Sequence, residues 1–163
     1  MKADSKEKIV QDKLIDNYIK YYRIAYSYVS NEHDAYDVVQ EASYKAILKC
    51  NSLRKIEYVD TWICRIVINE SNSLLRKKYK KELSLGDIEQ EGTIGEVSNI
   101  ENIDLMKALE KLNSQERTLI ILRFFEDYKI EDIAFIMKLN VNTVKTKLYR
   151  TISKMEKILG KEA

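Results

Sequence analysis

Arg76-Lys77-Lys78-Tyr79-Lys80-Lys81 places five cations and one aromatic ring in six consecutive positions, and positive charge at that density attracts phosphate. Taken alone the run proves little, because a basic stretch at a helix end also serves the helix dipole and solubility. Just before it stand Asn69, Glu70, Ser71, Asn72 and Ser73. Their amides and hydroxyls are suited to base edges, and Tyr58 and Trp62 offer rings on which a base could stack. Trp62 also fits an apolar helix stripe and therefore a core position. A second row, Thr143, Lys145, Thr146, Lys147, Tyr149 and Arg150, meets no acid before Glu156. Thr146 and Arg150 are four apart, as are Lys145 and Tyr149, so on a helix each pair shares one side and reaches neighbouring phosphates and base edges.

Other chemistry is poorly supplied. The chain holds one histidine, His33, and two cysteines, Cys50 and Cys64, so any transition-metal site would have to be completed by those thiols and carboxylates. No GxGxxG, Walker-type glycine loop or CxxC pair occurs, which leaves nucleotide cradling and thiol redox chemistry without a visible basis. The expectation is a protein with no catalytic residue, no metal, no cofactor and no small-molecule substrate.

Helices must position the two rows. The 163 residues include no proline and four glycines, where average usage would give about eight prolines, and helices are the elements that tolerate proline least. With 45% hydrophobic and 33% charged residues, the composition is that of a soluble globular protein, without an apolar stretch of membrane length. The start, Met1 to Lys8, lacks the apolar run of a secretory signal, and the reading is cytoplasmic with free thiols.

Charge divides the chain into three blocks. Residues 1–81 hold 16 Lys/Arg against 11 Asp/Glu (net +5), residues 82–106 none against 7 (net −7), and residues 107–163 hold 12 against 8 (net +4). The acidic block also carries three of the four glycines, as a connector would. The fold class expected is all-α: two small helical domains, residues 1–81 and 105–163, joined by a flexible acidic linker over 82–104. The acid could be a plain solvated tether or could mimic nucleic acid across a basic channel.

In the first block Leu14, Tyr18, Tyr22, Tyr26 and Val29, with Ile15 and Ile19 alongside, predict an amphipathic helix. A cap at Asn31 to Asp34 opens a second, with Val38, Val39, Ala42 and Ala46 inward and Asp34, Asp37, Gln40, Glu41 and Lys45 on the outer side. A third puts Val59, Trp62, Ile63 and Ile66 on one side until the polar residues from Asn69 interrupt it. In the last block Leu105, Ala108, Leu109 and Leu112 end a short helix, and Asn113 with Glu116 forms a capping pair for the next, which carries Leu119, Ile120, Leu122 and Phe124. Ile130 through Met137, a polar turn, and the stripe Val144, Leu148, Ile152, Met155 and Leu159 make a helix-turn-helix, with Asn142 as the cap of its second helix and no glycine near Lys138.

These residues resemble the extracytoplasmic-function (group 4) sigma factors of the sigma-70 family. Asp34-Ala35-Tyr36-Asp37-Val38-Val39-Gln40-Glu41-Ala42 is similar to region 2.2, Thr61 through Asn69 to regions 2.3 and 2.4, and Val141 through Arg150 to the region 4.2 recognition helix. The resemblance implies a sigma factor that brings core RNA polymerase to promoters. Asp34, Asp37, Gln40, Glu41 and Lys45 would face the β' clamp coiled coil, and the second domain the β flap. Trp62, Arg65, Asn69, Asn72, Arg76 and Lys77 would hold the minus-ten strand, with one flipped base in a pocket made by the loop around Asn69. Asn142, Thr143, Lys145, Thr146, Lys147, Tyr149 and Arg150 would read the minus-thirty-five element. An anti-sigma factor, often membrane-anchored, would sequester the chain at the inner face of the membrane until a stress releases it. The sequence departs from the pattern at Asn140, where many members have proline, and within Ser43 to Ile47, which lacks a common tryptophan. A stand-alone helix-turn-helix regulator leaves the Asp37 to Glu41 face and the polar stretch at Asn69 unexplained. A helical protein-protein adaptor has no need of the basic row from Lys145 to Arg150.

Overall fold

The computed structural model describes residues 2–85 and 103–160, and every regular element among them is helical. The chain divides into two compact units, residues 1–95 and 96–163.

The first unit contains α1 (Lys2–Asp16), α2 (Tyr18–Val29), α3 (Glu32–Leu48) and α4 (Val59–Leu85). At Asn17 the backbone leaves helical torsions (φ −114°, ψ 23°), which turns the inward face between α1 and α2. Val10 and Leu14 of α1 and Tyr21, Ile24, Ala25 and Tyr28 of α2 are buried. Of the single stripe read through Leu14, Tyr18, Tyr22 and Tyr26, Leu14 and Tyr26 are buried as expected, and the stripe is displaced between them. Tyr18 and Tyr22 are half-buried, Tyr22 lies between the rings of Tyr18 and Tyr26 at 6.4 and 6.3 Å, and Ile15 and Ile19 face water at 75% and 63% exposure.

Tyr21 is completely buried yet carries a hydroxyl, which needs a partner inside. It donates to Asp60 of α4 at 2.7 Å, and Lys20 Nζ donates to the same carboxylate at 2.6 Å. Burial first, then the Asp60 charge, pushes the Tyr21 hydroxyl far above the ordinary phenol range. This polar clamp fixes α2 against the start of α4.

The Asn31 side chain caps α3, accepting from the Asp34 N–H at 3.0 Å. Ala35, Val38, Val39, Ala42 and Ala46 are all buried, so the inward face of α3 is the one its spacing predicts, and its small residues let α4 pack close.

In α4 the structure departs from the sequence reading in a way that matters for function. Its 27 residues run without a break through the polar stretch at Asn69, so no loop forms there. Ser71 is fully buried, with its hydroxyl donating to the Val67 carbonyl at 2.9 Å. A small side chain satisfied by its own preceding turn can take a core position without a further partner. Val59, Ile63, Cys64, Val67 and Ile68 complete the buried side, while Trp62 and Ile66 are half-buried at its margin.

The second unit contains α5 (Ile103–Glu110), α6 (Ser114–Ile120), α7 (Ile130–Met137) and α8 (Val141–Gly160). The expected linker over 82–104 is thus shortened from both ends, since α4 continues to Leu85 and α5 begins at Ile103. Its remainder, residues 86–102, lies outside the described residues.

Asn113 and Glu116 form a full capping box, each side chain accepting from the other's backbone N–H at 2.8 and 3.0 Å. After α6 the helix widens into a π turn, Ile121–Phe125. The extra residue in the turn shifts the register, so Ile121 and Leu122 are buried but Phe124 is 53% exposed, against the inward position its spacing predicts.

Between α7 and α8, Lys138 adopts the left-handed conformation (φ 57°) that glycine usually supplies. The Leu139 N–H closes the end of α7 on the Ala134 carbonyl at 3.0 Å. Asn140, not Asn142, caps α8, accepting from the Thr143 N–H at 2.7 Å. The helix therefore starts one residue earlier than Asn142. Ile133, Ala134, Ile136, Val144, Leu148, Thr151 and Met155 are buried, with Ile152 and Leu159 half-buried. Among the described residues no helix is long and apolar enough to cross a membrane.

Candidate nucleic-acid interface

Trp62, Arg65, Asn69, Asn72 and Arg76 follow one another at intervals of three and four residues along a continuous α4, so they form one stripe. It stands opposite the buried row Ile63, Val67 and Ser71. Asn69, Asn72 and Arg76 are exposed, whereas Trp62 and Arg65 are half-buried. Lys77 is exposed but lies about 100° further round the helix, on the flank of the stripe. Tyr79 and Lys80 extend the face, and with Asn72, Leu75 and Arg76 they line a shallow hollow of about 350 Å³. The sequence reading includes those two positions in the basic run but stops the minus-ten set at Lys77, although the spacing from Trp62 to Arg76 continues unaltered into Tyr79 and Leu83.

The five residues read on the outer side of α3 do not stand alike. Asp37, Gln40 and Glu41 are exposed. The Asp34 side chain is only 14% exposed and pairs with Lys78 of α4. Lys45 pairs with Glu70 of α4, and that hydrogen bond raises its pKa above the ordinary lysine value. Both residues therefore tie α3 to α4. His33 lies 3.2 Å from the Asp37 carboxylate, one helical turn away.

On α8 the outward face comprises Asn142, Lys145, Thr146, Tyr149 and Arg150, all exposed, with Tyr149 at 73%. The Thr146 hydroxyl donates to the Asn142 carbonyl at 3.0 Å. Thr143 and Lys147 are half-buried on the flank. The Lys147 ammonium donates to Gln115 of α6 at 3.0 Å, and Lys154 donates to Glu116 at 3.0 Å. Partial burial works to raise the Glu116 pKa, but the Asn113 backbone N–H and Lys154 outweigh it, and Lys147 adds to them, so the carboxyl lies below its usual range. The short α6 thus holds the length of α8 in register, and two lysines of the basic row's own helix do the holding.

A helix-turn-helix with a basic, hydroxyl-bearing outer face and a separate helical unit with an amide and guanidinium stripe define a two-unit helical protein with a candidate nucleic-acid face on each unit. Residues 15–81 match the model of sigma-70 region 2, and residues 103–155 match that of sigma-70 region 4. The chain is 38% identical over 149 residues to RNA polymerase sigma factor SigV of Bacillus subtilis (strain 168), covering 91% of this chain and 90% of that protein. It is 30% identical over 132 residues to the ECF RNA polymerase sigma-E factor of Escherichia coli (strain K12), covering 72% and 69%. The sigma factor RpoE of Bartonella quintana, solved in complex with the anti-sigma factor NepR, superimposes with a TM-score of 0.80 at 25% identity, over 92% of this chain and 96% of that one. CnrH, solved with the cytosolic domain of CnrY, shares the fold with a TM-score of 0.71 at 19% identity, over 99% and 96%. The chain belongs to the extracytoplasmic-function RNA polymerase sigma factors of the sigma-70 family. It directs promoter-specific initiation by RNA polymerase.

Proposed function

We propose that the two units divide the promoter between them, domain 1–81 taking the minus-ten element and polymerase, and domain 105–163 the minus-thirty-five element. The observation that carries this reading is the opposition of charge within the first unit: acid on the exposed face of α3 at Asp37 and Glu41, amides and cations on the outward stripe of α4. An acidic helix suits the β' clamp coiled coil, with Gln40 beside it and with Asp34 and Lys45 bracing the docking helix from behind. Cationic and amide groups in one row suit a single DNA strand. Asn69 takes a flipped base, its exposed amide offering one acceptor and two donors to the base edge. Trp62, two turns earlier on the same stripe, supplies a ring, and Arg65, Asn72, Arg76 and Lys77 hold the backbone.

On α8, Lys145, Thr146, Tyr149 and Arg150 enter the major groove, Asn142 and Thr143 meet the backbone at the helix N-terminus, and Lys147 braces the helix through Gln115. The β flap meets this second domain. The solved complex of RpoE with the anti-sigma factor NepR supports an anti-sigma factor as the regulator. Membrane anchoring of that factor, its release of the chain under stress and a cytoplasmic sigma factor complete the proposal.

Charge reversal of Asp37 and Glu41 together tests the division. Affinity for core polymerase should fall at least tenfold while binding of duplex minus-thirty-five DNA by the variant chain is unchanged. Equal polymerase affinity would remove α3 from the interface.

A further inference from the structure

The outward stripe of α4 continues past the residues assigned to the minus-ten strand. Arg76, Tyr79 and Leu83 keep the same spacing, Tyr79 is 64% exposed, and its ring borders the hollow formed with Asn72, Leu75, Arg76 and Lys80. No acid interrupts the helix between Glu70 and Glu82, so a ring, an apolar floor and flanking cations occur together on one helix face. That combination suits a nucleic-acid strand: the ring gives a base a face to stack on, and the cations meet the phosphates on either side. An exposed tyrosine without the cations would fit a protein partner equally well.

We propose that Tyr79 is a stacking platform for an unpaired base of the same promoter strand that meets Asn69, with Arg76 and Lys80 on the adjacent phosphates. This rests on the placement of that strand along α4 proposed above. Ten residues of helix separate the two side chains, about 15 Å at 1.5 Å per residue. A stacked strand covers that distance in about four nucleotides at 3.4 Å each, and a stretched one in fewer. The site therefore extends promoter reading by a second, sequence-tolerant contact at a fixed distance from the first, and fixes how far the melted segment must reach before both are filled.

The test uses holoenzyme on a promoter carrying a mismatched, pre-opened minus-ten segment. A photoreactive phenylalanine analogue replacing Tyr79 should crosslink to the strand two to four nucleotides from the base whose preference changes in Asn69→Ala. Tyr79→Phe should open the promoter within about twofold of the parent, whereas Tyr79→Leu and Tyr79→Ala should both fall about tenfold, the scale of one lost stacking contact, with core-polymerase affinity unchanged. A crosslink confined to a polymerase subunit, full activity of Tyr79→Ala, or rescue by Tyr79→Leu would each overturn the stacking role. An unchanged minus-ten preference in Asn69→Ala would instead overturn the strand placement beneath it.

Discussion

Lys78, from the middle of the basic run, donates to Asp34 on the first turn of α3, so one cation of that run is committed to the fold. Asp34 is well placed for it, because a carboxylate in the first helical turn also meets the positive end of the helix dipole. The Lys78 side chain remains 47% exposed, which keeps the pair on the weak side of the range for ion pairs. A double-mutant cycle of Asp34→Ala and Lys78→Ala should give a coupling below about 1 kcal/mol that shrinks in high salt. In promoter binding, Lys78→Ala should leave the salt slope unchanged while Lys77→Ala lowers it, measured by titration at several salt concentrations. Equal slopes for the two variants would mean that Lys78 leaves Asp34 when DNA binds.

The lysines of α8 differ in the same way. Lys147 is engaged by Gln115, whereas Lys145 and Arg150 project from the exposed face. Lys145→Ala or Arg150→Ala should weaken minus-thirty-five binding by roughly 1 to 3 kcal/mol if the side chain reads a base, or reduce the salt slope by about one if it meets only phosphate. Lys147→Ala should do neither and should instead loosen α6 against α8. Binding isotherms at varied salt, paired with hydrogen exchange of α6, distinguish these outcomes.

Lys138 bears a left-handed backbone in the turn of the helix-turn-helix. A side chain with a Cβ is disfavoured there by about 1 kcal/mol, which glycine avoids at the expense of a more flexible unfolded chain. Lys138→Gly should therefore raise the protection of α7 amides by up to about 1 kcal/mol, and Lys138→Val should lower it. Protection unchanged in both variants would show that the turn is not strained.

Glu116 supplies a pH dependence. Its folded pKa lies below the unfolded value near 4.5, so the second unit gains stability from it above that pH and loses it as acid carries the solution down through the folded value. Glu116→Gln should be less stable at neutral pH but should show a flatter decline below about pH 4.5. Chemical denaturation across pH 3 to 7, read by helix-specific hydrogen exchange or NMR of the second unit, makes the comparison.

The legible parts of this sequence were those where a local rule acted alone. The capping box at Asn113 and Glu116, the alanine face of α3 and the Val144 to Met155 stripe follow from spacing and side-chain type. The misread parts are places where a second principle prevailed. Ser71 looked like a helix interruption because its polarity was visible and its bond to the Val67 carbonyl was not. Phe124 was displaced by a π turn that no residue type announces. The start of α8 moved because Asn140 and Asn142 are both good caps, and only the backbone path through Lys138 chooses between them. The pairings of Asp34 and Lys45 join residues far apart in the chain, and neither helix pattern alone predicts them.

Run-off transcription with purified core polymerase and a promoter library tests the central claim most directly, comparing reactions with the parent chain, Asn69→Ala, Lys145→Ala and no added factor. The parent chain should start RNA synthesis from a defined promoter class and core enzyme alone should not. Asn69→Ala should relax preference at the minus-ten element, and Lys145→Ala should weaken dependence on the minus-thirty-five element. No transcript from any template with the parent chain, or the same promoter preferences in both variants, would contradict the account.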